Sequence, residues 1–300
     1  MFSIIIPLYN KADYIAETLK SVLNQTYCDY EVIVVNDSST DNSLEVASSF
    51  QDERIHIYTK ENEGVSAARN YGIMHAKYDY IAFLDADDIW ESDYLECQKK
   101  LIGTYPDAGI YSTAFYSLEK GKRKLRNVLI NEHIHFLVHD YFKESVMNGL
   151  SICWTSSLCL KKEVIKEIPM FRVGIKRGED LDLWLRIALN YDVAYLNLPK
   201  VFYRTGLSDS LTSDYSKNGE FPYYEWFNFT SESSYYRQVG YCNQLQQIRT
   251  NYNEVADFQR LFYLSKIRLC AVGYSCPPYF STVFLPRNIF GICPDVTMTQ

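Results

Sequence analysis

Over roughly the first ninety residues, short apolar runs alternate with stretches whose apolar positions recur at helical spacing. Residues 3–7 form a β-branched apolar run and read as a buried strand. Residues 13–25 carry Ile15, Leu19, Val22 and Leu23 at the spacing of a helix face. Further strands are expected at 31–35, 54–59 and 80–84, and helices at 43–50 and 66–76. This rhythm predicts right-handed βαβ units and a mostly parallel central sheet flanked by helices. The polar clusters fall where strands stop. Pro7-Leu8-Tyr9-Asn10 follows the first, Asn36-Asp37-Ser38-Ser39-Thr40-Asp41 the second, and Asp85-Ala86-Asp87-Asp88 the fourth. Ligands of open α/β sheets bind outside the carboxyl ends of the strands, so these clusters are expected to share one rim.

Beyond residue 90 the pattern changes. Helices are expected at 94–101, 133–148, 161–167 and 180–190, and strands at 109–115, 153–160, 193–198 and 201–204. The stretch 119–126 holds Lys120, Lys122, Arg123, Lys124 and Arg126, and reads as a surface loop or hairpin. Residues 205–230 are weakly patterned, and 231–269 read as mostly helical. The division expected is a domain over 1–210, with a donor half of about 1–100 and an acceptor half of about 101–210, and a mainly helical region over 211–300.

Composition narrows the function. A chain of 300 residues that is 47% hydrophobic and 22% charged buries a real core. A net charge of −7 argues against broad nucleic-acid binding, which needs a basic face. The eight cysteines form no CxxC pair, which points away from a zinc site or disulfide framework and toward reduced thiols in a cytoplasm. The N-terminus lacks the basic region of a signal peptide, and no apolar run reaches the ~18 residues of a membrane span. The aromatic tail over 269–293 fits either a membrane surface or a packed core. A peripheral position at the inner membrane face is thus compatible with the chain.

Three carboxylates in four residues, Asp85, Asp87 and Asp88, repel one another unless positive charge is close. A divalent cation bridging a diphosphate meets that need, with Mn²⁺ or Mg²⁺ held by one or two carboxylates and phosphate oxygens. A solvated loop capping a helix is the plainer alternative. Asp37 suits a base edge or ribose, Tyr9 a base face, and Arg69 a diphosphate or a loop aspartate. Asp180 fits two roles, helix N-cap or general base toward an acceptor hydroxyl. His135 and His139 would share a helix face, with Glu132 and Asp140 the only carboxylates at a good spacing, which is weak support for a metal site. Neither a GxGxxG nor a GxxxxGK loop follows the first strand, which excludes dinucleotide-binding dehydrogenases and P-loop enzymes.

In this order the motifs resemble the inverting glycosyltransferases of family 2, of the bacterial polysaccharide-biosynthesis type, which have the GT-A fold. The stretches are SIIIPLYNKADYIAETLKSVLNQTY (3–27), VIVVNDSSTDNS (32–43), ENEGVSAARNYGI (61–73), YIAFLDADDIW (80–90) and GEDLDLWLRIAL (178–189). The resemblance implies that Pro7, Tyr9, Asp37, Arg69, Asp85, Ala86 and Asp87 bind the nucleotide-sugar. It further implies that Asp87 ligates the metal and that Asp180 is the catalytic base. Asn10, Asp88, Glu179 and Trp154 are secondary candidates. The donor implied is a nucleotide diphosphate sugar, and the acceptor a glycan or lipid-linked saccharide. One departure stands out. Tyr203-Arg204-Thr205-Gly206 resembles a YR-x-H stretch, yet no histidine follows His139. That absence keeps a second reading open, a nucleotide-sugar-binding protein with lost or partner-dependent transfer.

Overall fold

The computed structural model describes residues 1–129, 131–148, 151–175 and 178–207. The boundary expected at 210 and the helices expected beyond it lie outside the described residues. The first part follows the alternation read from the sequence: β1 (Phe2–Leu8), α1 (Ile15–Leu23), β2 (Tyr30–Asn36), α2 (Ser43–Ser48), β3 (Ile55–Thr59), α3 (Val65–His75) and β4 (Tyr80–Phe83). Then come β5 (Ile89–Trp90), α4 (Tyr94–Thr104), β6 (Ile110–Glu119), β7 (Lys122–Arg126), β8 (His135–Val138) and α5 (Tyr141–Asn148). A 3₁₀ turn (Thr155–Ser157), β9 (Leu158–Lys161), α6 (Lys162–Glu167), α7 (Glu179–Ala188) and β10 (Val193–Arg204) complete the described chain.

The strands form one sheet in the order β3-β2-β1-β4-β9-β6-β10-β5, with β7 added to β6 and β8 to β10. β1 through β4 are parallel to their neighbours within this set, and β10 is parallel to β6. β9 runs antiparallel to both β4 and β6 and joins the two parallel parts. β1 and β2 are buried on both faces, which is why they read as unbroken apolar runs. Ile5, Ile33, Phe83 and Trp184 fill the core on one face, while Ile4, Ile6, Val34 and Tyr94 fill the other.

The chain runs from β1 outward to β3 and returns through α3 to place β4 on the other side of β1. The sheet therefore switches direction at β1 and β4, where a crevice opens at the strand ends. Pro7 fits inside this central strand because β1–β4 pairing ends at Ile5↔Phe83. The Phe2 N–H points to the β2 side, so alternation turns the Pro7 nitrogen to the side where the ladder has stopped.

Close packing of α3 on β1 depends on Gly72, where a Cβ would lie 2.5 Å from Ile5 Cγ2. Gly72→Ala is expected to lower stability by about 1–2 kcal/mol, because overpacking a fixed central strand outweighs the gain in helix propensity. A fall in the urea midpoint checks this, and an unchanged midpoint contradicts it.

Several expectations need correction. The helix expected over 133–148 is confined to α5, and His135–Val138 is a strand. It pairs antiparallel with β10 (Val193↔Val138, Leu196↔His135) and covers an edge of the sheet. Edge pairing is a tertiary demand that local periodicity does not carry. The strand expected over 153–160 starts only at Leu158, because the preceding serines form a turn that reaches the site. The strands expected at 193–198 and 201–204 are one strand, β10, with register shifts around Pro199. The basic stretch is a hairpin, one of its two expected forms, and Lys120 and Gly121 turn it at φ 48° and 76°.

Candidate active site

The rim predicted from the sequence exists. Asp37 N–H donates to Leu8 O (2.8 Å), which ties the end of β2 to the end of β1. Asn10, at φ 50°, accepts from Thr40 N–H (2.8 Å) through Oδ1, and its own N–H donates to Ser39 Oγ (3.1 Å). Tyr9, next to Asn10 at the end of β1, is 46% exposed. The Asp37 carboxylate is buried and accepts from Gly64 N–H (2.8 Å), Glu63 N–H (3.2 Å) and Lys60 Nζ (3.0 Å). It thereby holds the start of α3, where Gly64 adopts φ 89°.

The loop after β4 distributes its acids among different partners. Asp85 Oδ1 accepts from Arg69 (2.7 Å), and its N–H donates to Ser156 Oγ (3.1 Å). Asp87 pairs with Lys11 at 3.0 Å. Burial raises the Asp87 carboxyl above its usual range, Lys11 opposes that, and the Asp85 charge adds to it. Asp88 is fully buried, accepting from Ser156 Oγ (2.6 Å) and Arg204 N–H (3.0 Å). Burial and its two acidic neighbours push the Asp88 carboxyl well up. Asp88 thus fastens the loop internally, joining β10 to the 3₁₀ turn. Thr18 of α1 adds to this, its hydroxyl lying 2.9 and 2.8 Å from the carbonyl oxygens of Ala86 and Asp88. Ala86 is buried, and Arg204 holds the Asp87 carbonyl (2.7 Å).

The second half of the chain brings Glu179 and Asp180 to this loop at the start of α7. Gly178, at φ 74°, is the N-cap, so the N-cap reading of Asp180 is set aside. Asp180 is half-buried, and its Oδ2 accepts from Thr155 Oγ1 (2.9 Å). Arg69 links the two halves: its guanidinium donates to Glu179 Oε1 (2.8 Å) and to Asp85, and lies 5.3 Å from the Phe171 ring centroid. Arg69 is only 3% exposed and reaches no open surface. Burial and the Asp180 charge raise the Glu179 carboxyl to about 7, against the pull of Arg69. Trp154 lies beside the turn, its ring 5.2 Å from Phe115 and 4.7 Å from Tyr203.

All the site residues expected from the sequence therefore sit around the ends of β1, β2 and β4, the 3₁₀ turn and α7. Sequence reasoning passed over Lys11, Thr18, Lys60, Thr155 and Ser156. Lys11 carried one signal, a cation directly after the Tyr9-Asn10 turn; the serine and threonines carried none. Among the described residues no group of three or more His, Cys, Asp or Glu is arranged to hold a metal. His135 and His139 are apart from the site, at Tyr105 and Asp192. A nucleotide-bound Mn²⁺ or Mg²⁺ needs only one or two protein carboxylates, and the partly exposed Asp87 meets that requirement.

The profile of glycosyl transferase family 2 matches residues 3–168. The chain belongs to glycosyl transferase family 2. Among its family relatives, glycosyltransferase GlyG of Streptococcus pneumoniae is 31% identical over 216 residues, 68% of this chain and 70% of GlyG. An uncharacterized glycosyltransferase of Rickettsia felis is 36% identical over 191 residues, 62% of this chain. The match spans 30% of that relative's length. The structure of S. aureus TarS 1-349 in complex with UDP-GlcNAc superposes with a TM-score of 0.61 at 20% identity, covering 71% of this chain and 61% of TarS 1-349. That likeness establishes the GT-A fold.

Proposed function

We propose that the chain is an inverting glycosyltransferase that moves a sugar from a nucleotide-diphosphate donor, a UDP-sugar, to a hydroxyl of a glycan or lipid-linked acceptor. The observation that carries this reading is the bridge through Arg69. It brings the start of α7, with Asp180, to the acidic loop at the switch point of the sheet. The complex of TarS with UDP-GlcNAc supports the donor class. A relative in Bacillus subtilis, TuaG, carries a name in teichuronic acid biosynthesis and supports a cell-envelope polysaccharide as the product.

In this mechanism Tyr9 stacks on the base, and Pro7, Asn10 and Asp37 shape the floor beneath it. Asp85 faces the ribose. Asp87 would hold Mn²⁺ or Mg²⁺, which supplies charge neutralisation for the leaving diphosphate. Lys11, beside Asp87, would offer its cation to the same phosphates. Asp180 takes the proton of the acceptor hydroxyl as that oxygen bonds to the anomeric carbon and the bond to the diphosphate breaks on the opposite face. Trp154 and Tyr203 wall the acceptor side.

The proposal includes a cytoplasmic location with a peripheral position at the inner face of the membrane. No helix among the described residues is long and apolar enough to cross a membrane. The exposed lysines of the β6–β7 hairpin suit a lipid-linked phosphate acceptor.

A thermal-shift titration with UDP, GDP, dTDP, CDP and their sugars, with and without Mn²⁺, tests the proposal. Stabilisation by one nucleotide class that requires metal, followed by release of that nucleotide on turnover, is the expected result. Binding without turnover over a broad acceptor panel would favour the binding-protein reading. No stabilisation at all would reject both.

A further inference from the structure

We infer that α3 is the element that positions the α7 acid against the donor site, and that Asn70 is its second positioning residue beside Arg69. The inference rests on the transferase reading above and concerns residues that touch neither donor nor acceptor in it. Asn70 Nδ2 donates to Phe171 O (2.7 Å), and Phe171 N–H donates to Asn70 Oδ1 (3.0 Å). This two-bond clasp joins positions 101 residues apart in sequence. The amide meets both with separate atoms, Nδ2 as donor and Oδ1 as acceptor.

Phe171 is buried, and its ring meets Phe83 edge-on at 5.4 Å and Trp184 of α7 at 5.7 Å. The same ring carries the Arg69 guanidinium, whose two terminal nitrogens hold Asp85 and Glu179. Successive residues of α3 thus grip the approach to α7 in two ways. Asn70 fixes the Phe171 backbone, and Arg69 fixes the acid directly before Asp180. The other end of α3 is held by Asp37 through Glu63 and Gly64. One helix therefore touches the acid assigned to the base, the acid assigned to the ribose and the acid next to the catalytic base. A displacement of about 1 Å in a catalytic group is enough to cost a hundredfold in rate, which gives such a brace its value.

Asn70→Ala in the full chain is expected to lower kcat at least tenfold. Donor KM and the nucleotide-dependent rise in Tm should stay within twofold of wild type. Asn70→Asp keeps the acceptor for Phe171 N–H but turns a second acceptor toward Phe171 O, so a fall comparable to that of the alanine variant is expected. Turnover is read as UDP release from radiolabelled UDP-GlcNAc, UDP-glucose or UDP-galactose, whichever raises Tm most in the presence of Mn²⁺.

The deciding measurement places Asn70→Ala, or Asn70→Asp if the alanine variant does not fold, in an Asp180→Asn background. A positioning residue that acts through Asp180 costs nothing further there. A further tenfold loss in that background, or wild-type kcat in both single variants, overturns the inference while leaving the transferase reading intact. A wild-type chain with no nucleotide response and no turnover overturns both.

Discussion

Asp180→Asn lowers turnover by about 10²–10⁴-fold while the chain stays folded and binds donor. The substitution is isosteric: the amide oxygen still accepts from the Thr155 hydroxyl, 2.9 Å from Oδ2, while Leu181 N–H, 2.8 Å from Oδ1, gives up its side-chain acceptor. What disappears is the basic lone pair that receives the acceptor's proton. Asp180 sits within the first turn of α7 after the Gly178 cap, so its loss costs the helix little. The effect should therefore appear in kcat, with donor KM and Tm close to wild type. Glu179→Gln provides the contrast: it keeps an acceptor for Arg69 and removes a buried charge, so its effect should be smaller. Turnover in Asp180→Asn within tenfold of wild type would remove the base from this residue.

Asp87→Ala abolishes the metal-dependent part of donor binding. A ligand that binds only the native state at a hundredfold excess over Kd stabilises by about 2.7 kcal/mol. In a chain of this size that is a Tm rise of roughly 5–10 °C. With Mn²⁺ present the wild type should show this rise with its nucleotide, EDTA should remove it, and Asp87→Ala should lack it. The pH dependence has a definite sign. The Asp87 carboxyl lies above its usual range, chiefly through burial, and a metal needs the deprotonated form. The metal-dependent rise should therefore fade as pH drops through that raised range. A full rise in Asp87→Ala would place the metal on other groups.

The fate of the acidic loop shows how far a sequence reading reaches. Three carboxylates in four residues called for positive charge, and a metal was the charge that local reading offered. The folded chain answers part of that demand itself. Arg69 meets Asp85, Lys11 meets Asp87, and Asp88 is buried among hydroxyl and backbone donors. Arg69, expected at a diphosphate or a loop aspartate, pairs with the loop's Asp85 and is enclosed between two acids and an aromatic ring. Asp87, partly exposed beside Lys11, is the carboxylate proposed for the role the motif suggested.

By itself the sequence determined the alternation of strands and helices through β4, because a strand buried on both faces must be apolar throughout and a helix on a sheet must show one apolar stripe. It also determined that the polar clusters stand at strand ends, since each cluster follows its apolar run directly. Only the tertiary structure decided the rest. β8 is a strand because β10 offered an open edge, a demand set by residues more than fifty positions away. The 3₁₀ turn at Thr155–Ser157 exists where Asp85, Asp88 and Asp180 need hydroxyl partners, and no local period records that need. Arg69 and Glu179 meet across 110 residues, a contact no window of sequence contains. Local pattern reports burial of a face, whereas the partner of a buried charge is fixed by chain topology.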